Sequence, residues 1–133
     1  MTRKYTYDQY LIDLTSIKDK MVAVGYIPNI IIGLSRGGLI PGVHLSHMLG
    51  CKFHPVGSVF PQVKKTDKVL IIDDINDTGQ TLQTVSDYLE KLCDVQYAVL
   101  LENEISKFKN VKYYGCKINK TADPRWIEFW WEY

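Results

Sequence analysis

Three observations on this sequence predict an α/β fold: a parallel, twisted sheet of about five strands flanked by helices. Short apolar runs alternate with amphipathic stretches, the pattern of repeated strand–helix units. The run Val69–Ile72 is continuously apolar and rich in branched side chains, as in a strand covered on both faces. A glycine-rich turn follows Leu34 and an acidic turn follows Ile72, at the strand ends where open α/β sheets hold their ligands. The 133 residues are read as one domain, 1–133, long enough for a real core but too short for two.

Taken in order, Thr6 and Gln9 have capping-box spacing and open a first helix. Tyr7, Leu11, Leu14, Ile17, Met21 and Val22 lie near one face of it, and Gly25 ends it. Asn29–Leu34 reads as a strand, and Ser35-Arg36-Gly37-Gly38 as a tight turn. Pro41 starts a second helix that stops near Gly50. Lys52–Phe60 is a second strand, weakened by Pro55 and Gly57. A polar connection over 61–68 leads into the third strand. Thr81, Leu82, Val85, Tyr88, Leu89 and Leu92 then form a helical stripe. Val95–Leu101 and Val111–Cys116 are the fourth and fifth strands, and an aromatic tail runs from Trp126 to Tyr133. The expected order across the sheet is second, first, third, fourth, fifth, with a ligand at the switch point between the first and third.

Composition narrows the classes. Apolar residues make up 46% and aromatics 12%, as in a globular protein. The net charge is +1 with Lys and Arg dispersed, which gives no electrostatic case for nucleic acid or an anionic membrane. No apolar run approaches the roughly 20 residues of a membrane span. No basic-plus-apolar leader is present, and Cys51, Cys93 and Cys116 are three, widely spaced and without a CxxC pair. They read as reduced thiols of a cytoplasmic protein. His44, His47 and Cys51 recur at helical spacing but do not close a structural zinc site.

The chemistry concentrates in residues 69–82. Asp73 and Asp74 end a buried strand, where two carboxylates are costly without a ligand, metal or partner. Asp77-Thr78-Gly79-Gln80-Thr81 then offers free N–H groups, hydroxyls and a helix dipole, which suit a phosphate. A sugar phosphate satisfies both halves; an ordinary β-loop-α unit capped by Asp77 is the alternative. In Gly33–Gly42, paired glycines let backbone N–H groups approach an anion while Arg36 supplies charge. A plain tight turn is the alternative there.

The order apolar strand, two acidic residues, two further residues, Asp-Thr-Gly and a second Thr resembles the binding signature of the type I phosphoribosyltransferases. The Ser35–Gly38 loop resembles the pyrophosphate loop of their purine branch, as in the bacterial xanthine–guanine enzymes. Lys4-Tyr5 with the first helix, and Trp126-Ile127-Glu128, are similar to the same branch, so the resemblance covers most of the chain. It implies the phosphoribosyltransferase fold with a short C-terminal hood, and transfer of the 5-phosphoribosyl group from phosphoribosyl pyrophosphate (PRPP) to a 6-oxopurine. The base would be xanthine, guanine or hypoxanthine, in purine salvage. A PRPP- or nucleotide-binding regulator without efficient catalysis is the alternative function.

By the same resemblance, Asp73 and Asp74 hold ribose hydroxyls and Mg²⁺, directly or through water. Asp77 is the catalytic group, acting as general base or as partner of purine N7. Asp77, Thr78, Gly79, Gln80 and Thr81 bind the 5′-phosphate, while Ser35, Arg36, Gly37 and Gly38 bind the pyrophosphate. Lys117, Trp126, Ile127 and Glu128 form the base site; alternatively Lys117 is a solvated lysine and Trp126 closes the core. The resemblance also implies a cis peptide at Ser35–Arg36. A homo-oligomer is expected, with small molecules as the other partners. One departure stands out: the family's mobile lid, with its usual Ser-Tyr pair, is reduced here to Phe60–Lys68. Water exclusion would then fall to another subunit or to the aromatic tail, or be poor. Lys64 and Lys65 could reach pyrophosphate from this loop, against the alternative of a solvated pair.

Overall fold

The computed structural model describes residues 1–56 and 60–133. The chain forms β1 (Thr2–Tyr5), α1 (Tyr7–Ala23), β2 (Ile30–Leu34), α2 (Leu39–Leu49) and β3 (Lys52–Val56). Then come β4 (Lys68–Asn76), α3 (Gln80–Leu89), β5 (Asp94–Asn103), β6 (Tyr113–Ile118), β7 (Trp126–Phe129) and a 3-10 turn, Trp130–Glu132. Five strands pair in parallel in the order β3-β2-β4-β5-β6. That is the order the sequence predicts. Among the described residues no helix is long and apolar enough to cross a membrane.

Val69, Leu70, Ile71 and Ile72 are fully buried, because each face of β4 meets a helical layer. Leu70 and Ile72 join the core that α1 builds with Tyr10, Leu14, Ile17 and Met21. Val69 and Ile71 pack with Leu82, Val85 and Leu89 of α3. β2 sits between β3 and β4, so the turns leaving β2 and β4 open side by side at the carboxyl edge of the sheet.

Several boundaries differ from expectation. Thr6 caps α1 by accepting the Gln9 N–H at 3.2 Å, but Gln9 does not reach back to complete the box. Its amide donates instead to Asp13 Oδ1 at 3.0 Å, and Tyr5 OH donates to Asp13 Oδ2 at 2.5 Å. Asp13 is therefore a buried, satisfied carboxylate on the core face of α1, whereas Tyr7 and Val22 are exposed. Gly25, at φ +74°, ends the helix in a Schellman arrangement, with Tyr26 N–H donating to Met21 O at 2.9 Å. α2 begins at Leu39, two residues before Pro41, which occupies its first turn where the missing N–H costs nothing. β3 ends at Val56 in the described structure, and positions 57–59 of the expected Lys52–Phe60 strand lie outside the described residues. Thr81, Tyr88 and Leu92 are exposed, so the buried stripe of α3 is Leu82, Val85, Ser86 and Leu89.

The tail forms a second sheet. β7 pairs in parallel with β1, with Tyr5 opposite Phe129, their rings 5.1 Å apart. Trp131 stacks on Phe129 at 4.9 Å and 10°, and Tyr133 OH donates to Tyr5 O at 3.2 Å. Both ends of the chain thereby fold over the carboxyl edge as a roof.

Candidate active site

β4 runs through its two carboxylates, with Asp73 opposite Val99 of β5. Asp73 Oδ1 accepts the Asp74 N–H at 2.9 Å, and Asp74 Oδ1 accepts the Ile75 N–H at 2.7 Å. These bonds fix both side chains but bring no positive charge. Burial, and for Asp73 the charge of Asp74, raise both carboxyls above the ordinary aspartate range. A carboxyl raised in the folded state opposes folding once it must ionise. Stability should therefore fall as pH rises from the ordinary aspartate range through the raised one. Asp73→Asn should flatten that part of a calorimetric Tm-versus-pH curve, and relief of about 1 kcal/mol would raise Tm by roughly 4 °C.

The β2 turn lies directly against this pair. The Ser35–Arg36 peptide is cis, as the resemblance implies. A Cβ on Gly37 would overlap the Asp74 carboxylate, and one on Gly38 would overlap Ile72 O and press on Leu34 N. Both glycines are needed for this approach. Arg36, Gly37, Leu39, Ile40 and Asp74, with Trp131 and Glu132 from the roof, line a cavity of about 690 Å³. A groove of equal volume along α1, walled by Leu11, Ile12 and Ala23, contains none of the expected site residues.

On the other flank, residues 73–82 enclose about 200 Å³. Gly79, at φ +95°, is the buried N-cap of α3, while Thr78, Gln80 and Thr81 are exposed. Asp77 does not cap the helix. Its carbonyl and Oδ1 accept from Asn103 Nδ2 at 3.0 and 3.2 Å, and Lys107 N–H donates to Thr78 O at 3.0 Å. Behind the turn, Asn76 Nδ2 donates to Glu102 Oε1 and Phe108 O, and Ser106 Oγ donates to Asn76 Oδ1. The Asp77–Thr81 turn is thus braced by the 103–108 segment, and within it the Gln80 N–H donates to Thr78 Oγ1 at 3.3 Å.

A third cavity, of about 240 Å³, lies between Asp74, Ile75 and Asp77 below and Trp126, Ile127, Phe129 and Glu132 above, with Lys120 at its side. Two of the residues expected at the base site do not line this cavity. Lys117 is not in the wall: it is exposed, with its ammonium 5.5 Å from the Tyr114 ring centroid. The cation in the wall is Lys120, whose Nζ donates to Arg125 O at 3.0 Å. Strand alternation sends Glu128 away from Ile127, and it pairs with Lys4 at 3.6 Å. Sequence reasoning also missed Asn76, Asn103, Ser106 and Glu132. Only Asn76 and Asn103, at the ends of apolar strand runs, left any sign of their role.

Lys64 and Lys65 line none of these three cavities. Phe60 stacks on Tyr88 of α3 at 5.3 Å, anchoring the short connection to the helix flank. The cover over the site is the C-terminal roof.

The model of the phosphoribosyl transferase domain family matches residues 61–133, more than half of the chain. An adenine phosphoribosyltransferase of Rippkaea orientalis is 28% identical, the match covering 71% of this chain and 69% of the relative. The crystal structure of a purine phosphoribosyltransferase from Pyrococcus horikoshii superposes with a TM-score of 0.83 at 28% identity, covering 99% of this chain and 94% of that one. A Helicobacter pylori xanthine-guanine-hypoxanthine phosphoribosyltransferase gives 0.84 at 20% identity, covering 99% and 93%, a likeness of fold.

Proposed function

The chain belongs to the phosphoribosyl transferase domain family, and on that premise we propose that it transfers the 5-phosphoribosyl group of PRPP to a 6-oxopurine, as a salvage enzyme. The observation that carries this reading is the sharing of Asp74 by three adjoining cavities. One suits the sugar's 5′-phosphate, one the pyrophosphate and one a flat base.

In this reading the Asp77–Thr81 turn holds the 5′-phosphate through backbone N–H groups and the two Thr hydroxyls. Arg36 and the Gly37 N–H receive the pyrophosphate, since the Gly38 N–H is already given to Leu34 O at 2.8 Å. Asp73 and Asp74 accept the ribose hydroxyls and orient the sugar between its two exchange partners. Trp126 and Ile127 cover the purine face, while Asp77 takes or holds its ring proton. The Lys120 ammonium has donors to spare and reads an oxo group at position 6, which a 6-amino group cannot satisfy. Two close, unneutralised carboxylates beside a phosphate-sized cavity suit a hard cation held by few protein oxygens, and among the described residues no cluster of three or more ligands competes. Mg²⁺ bound there by Asp73 or Asp74 would neutralise charge on the leaving pyrophosphate. The same reading makes the protein cytoplasmic and homo-oligomeric, with exposed Trp126 and Tyr133 as apolar surface to cover.

The short Phe60–Lys68 connection favours a second reading, a PRPP- or nucleotide-binding regulator. An acceptor panel separates the two. With PRPP and Mg²⁺, nucleotide should form from guanine, hypoxanthine or xanthine and not from adenine. Preference for adenine would overturn the Lys120 assignment, and PRPP binding with no product from any base would establish the regulator.

A further inference from the structure

In the proposed transfer reaction one bond to the anomeric carbon breaks on the pyrophosphate side while another forms on the purine side. Among the described residues, the cavity assigned to the base and the one assigned to pyrophosphate have two walls in common, Asp74 and Glu132. Asp74 comes from below on β4, and Glu132 from above on the 3-10 turn. We infer that Glu132 is a catalytic residue whose carboxylate faces the anomeric carbon and stabilises the positive charge that develops there. This role rests on the transferase reading, which supplies the cation.

The electron balance defines what the carboxylate meets. The C1′–O bond breaks with its pair leaving on pyrophosphate, the purine nitrogen's lone pair forms C1′–N, and the displaced N–H proton passes to Asp77. Between these events the sugar is cationic, and a fixed negative group at the boundary lowers its energy without moving. Glu132 is fixed in this way. Its Oε1 accepts the Phe129 N–H at 2.8 Å. Its turn is clamped on one side by the Phe129–Trp131 stack and on the other by Tyr133, whose hydroxyl bonds Tyr5 O and whose ring lies 4.4 Å from Lys4 Nζ. Among the described residues no Lys or Arg pairs with Glu132.

The two ends of the reaction feel this carboxylate with opposite sign. Bound pyrophosphate is repelled, and the cationic sugar is attracted. Glu132→Gln keeps an oxygen acceptor for the Phe129 N–H while removing the charge, so the roof should hold its place. Steady-state kinetics with a 6-oxopurine should show kcat about tenfold lower, with KM for the purine unchanged. Calorimetry with inorganic pyrophosphate and Mg²⁺ should show binding roughly threefold tighter. Glu132→Asp, which retains the charge, should recover most of the turnover. An unchanged kcat would overturn the inference, and so would kcat and pyrophosphate affinity falling together, the mark of a displaced roof. If the unaltered protein binds no PRPP at all, the transferase reading itself fails and takes this role with it.

Discussion

Asp77→Asn should lower kcat about a hundredfold or more while PRPP affinity stays within roughly twofold. The split follows from how Asp77 is held. Its carbonyl and one carboxylate oxygen accept from Asn103, and an Asn side chain still presents an oxygen to that donor. The phosphate turn is set by other groups, namely the Lys107 N–H on Thr78 O and the buried N-cap Gly79. What the substitution removes is a charge on the wall of the cavity assigned to the base, and with it the proposed proton acceptor. Initial-rate kinetics beside calorimetric titration of PRPP measures both quantities. Equal loss of turnover and binding would mean that Asp77 only shapes the turn.

Gly37→Ala should cost about a hundredfold in PRPP affinity, roughly the equivalent of one strong charge-assisted hydrogen bond, while the protein stays folded. The added methyl would enter the space of the Asp74 carboxylate, a side chain that can rotate away and, in the proposed reading, would then leave the ribose. Gly38→Ala is the contrasting case. There the methyl meets Ile72 O and Leu34 N, backbone atoms of two central strands that cannot yield locally. Overpacking of that kind costs about 1–3 kcal/mol of stability. Thermal melts and PRPP titrations on the two variants should therefore separate, with Gly37→Ala losing affinity and Gly38→Ala losing Tm. Coincident behaviour would show that the loop does not press on Asp74 alone.

The parts of this molecule legible in its sequence are those whose physics is local. Val69–Ile72 announces a doubly covered strand because all four side chains have to be apolar, and the Asp-Thr-Gly turn declares itself by composition. Strand order comes from the placement of the two ligand-facing turns. Pairings between distant segments are not legible. β1 is four residues, Thr-Arg-Lys-Tyr, too short and too charged to show a period, and it exists because β7 lies beside it. That Lys120 rather than Lys117 lines the cavity is not legible for a related reason. β6 runs two residues past its expected end at Cys116, so the exit from the strand, where a side chain can turn toward the base, falls later in the chain. Along β7 the buried Ile127 and Phe129 alternate with Glu128, whose side chain pairs with Lys4 instead, while Trp126 reaches the cavity from the start of the strand. Asn103 is easily misread because a polar residue ending an apolar run looks like a boundary, whereas here it reaches across to hold Asp77.

In the proposed reading, the pairing of β1 with β7 separates recognition of sugar from recognition of base along the polypeptide. The anion turn and its carboxylates arise within a single strand–turn–helix segment. The aromatic ceiling needs strands more than a hundred positions apart to find one another, which closes the longest loop in the fold. Loss of the last eight residues would leave a chain able to grip the pentose donor with nothing to set a purine against. Assembly should follow the same sequence, with the donor pocket maturing ahead of its ceiling, and fraying there should release the base before the sugar phosphate.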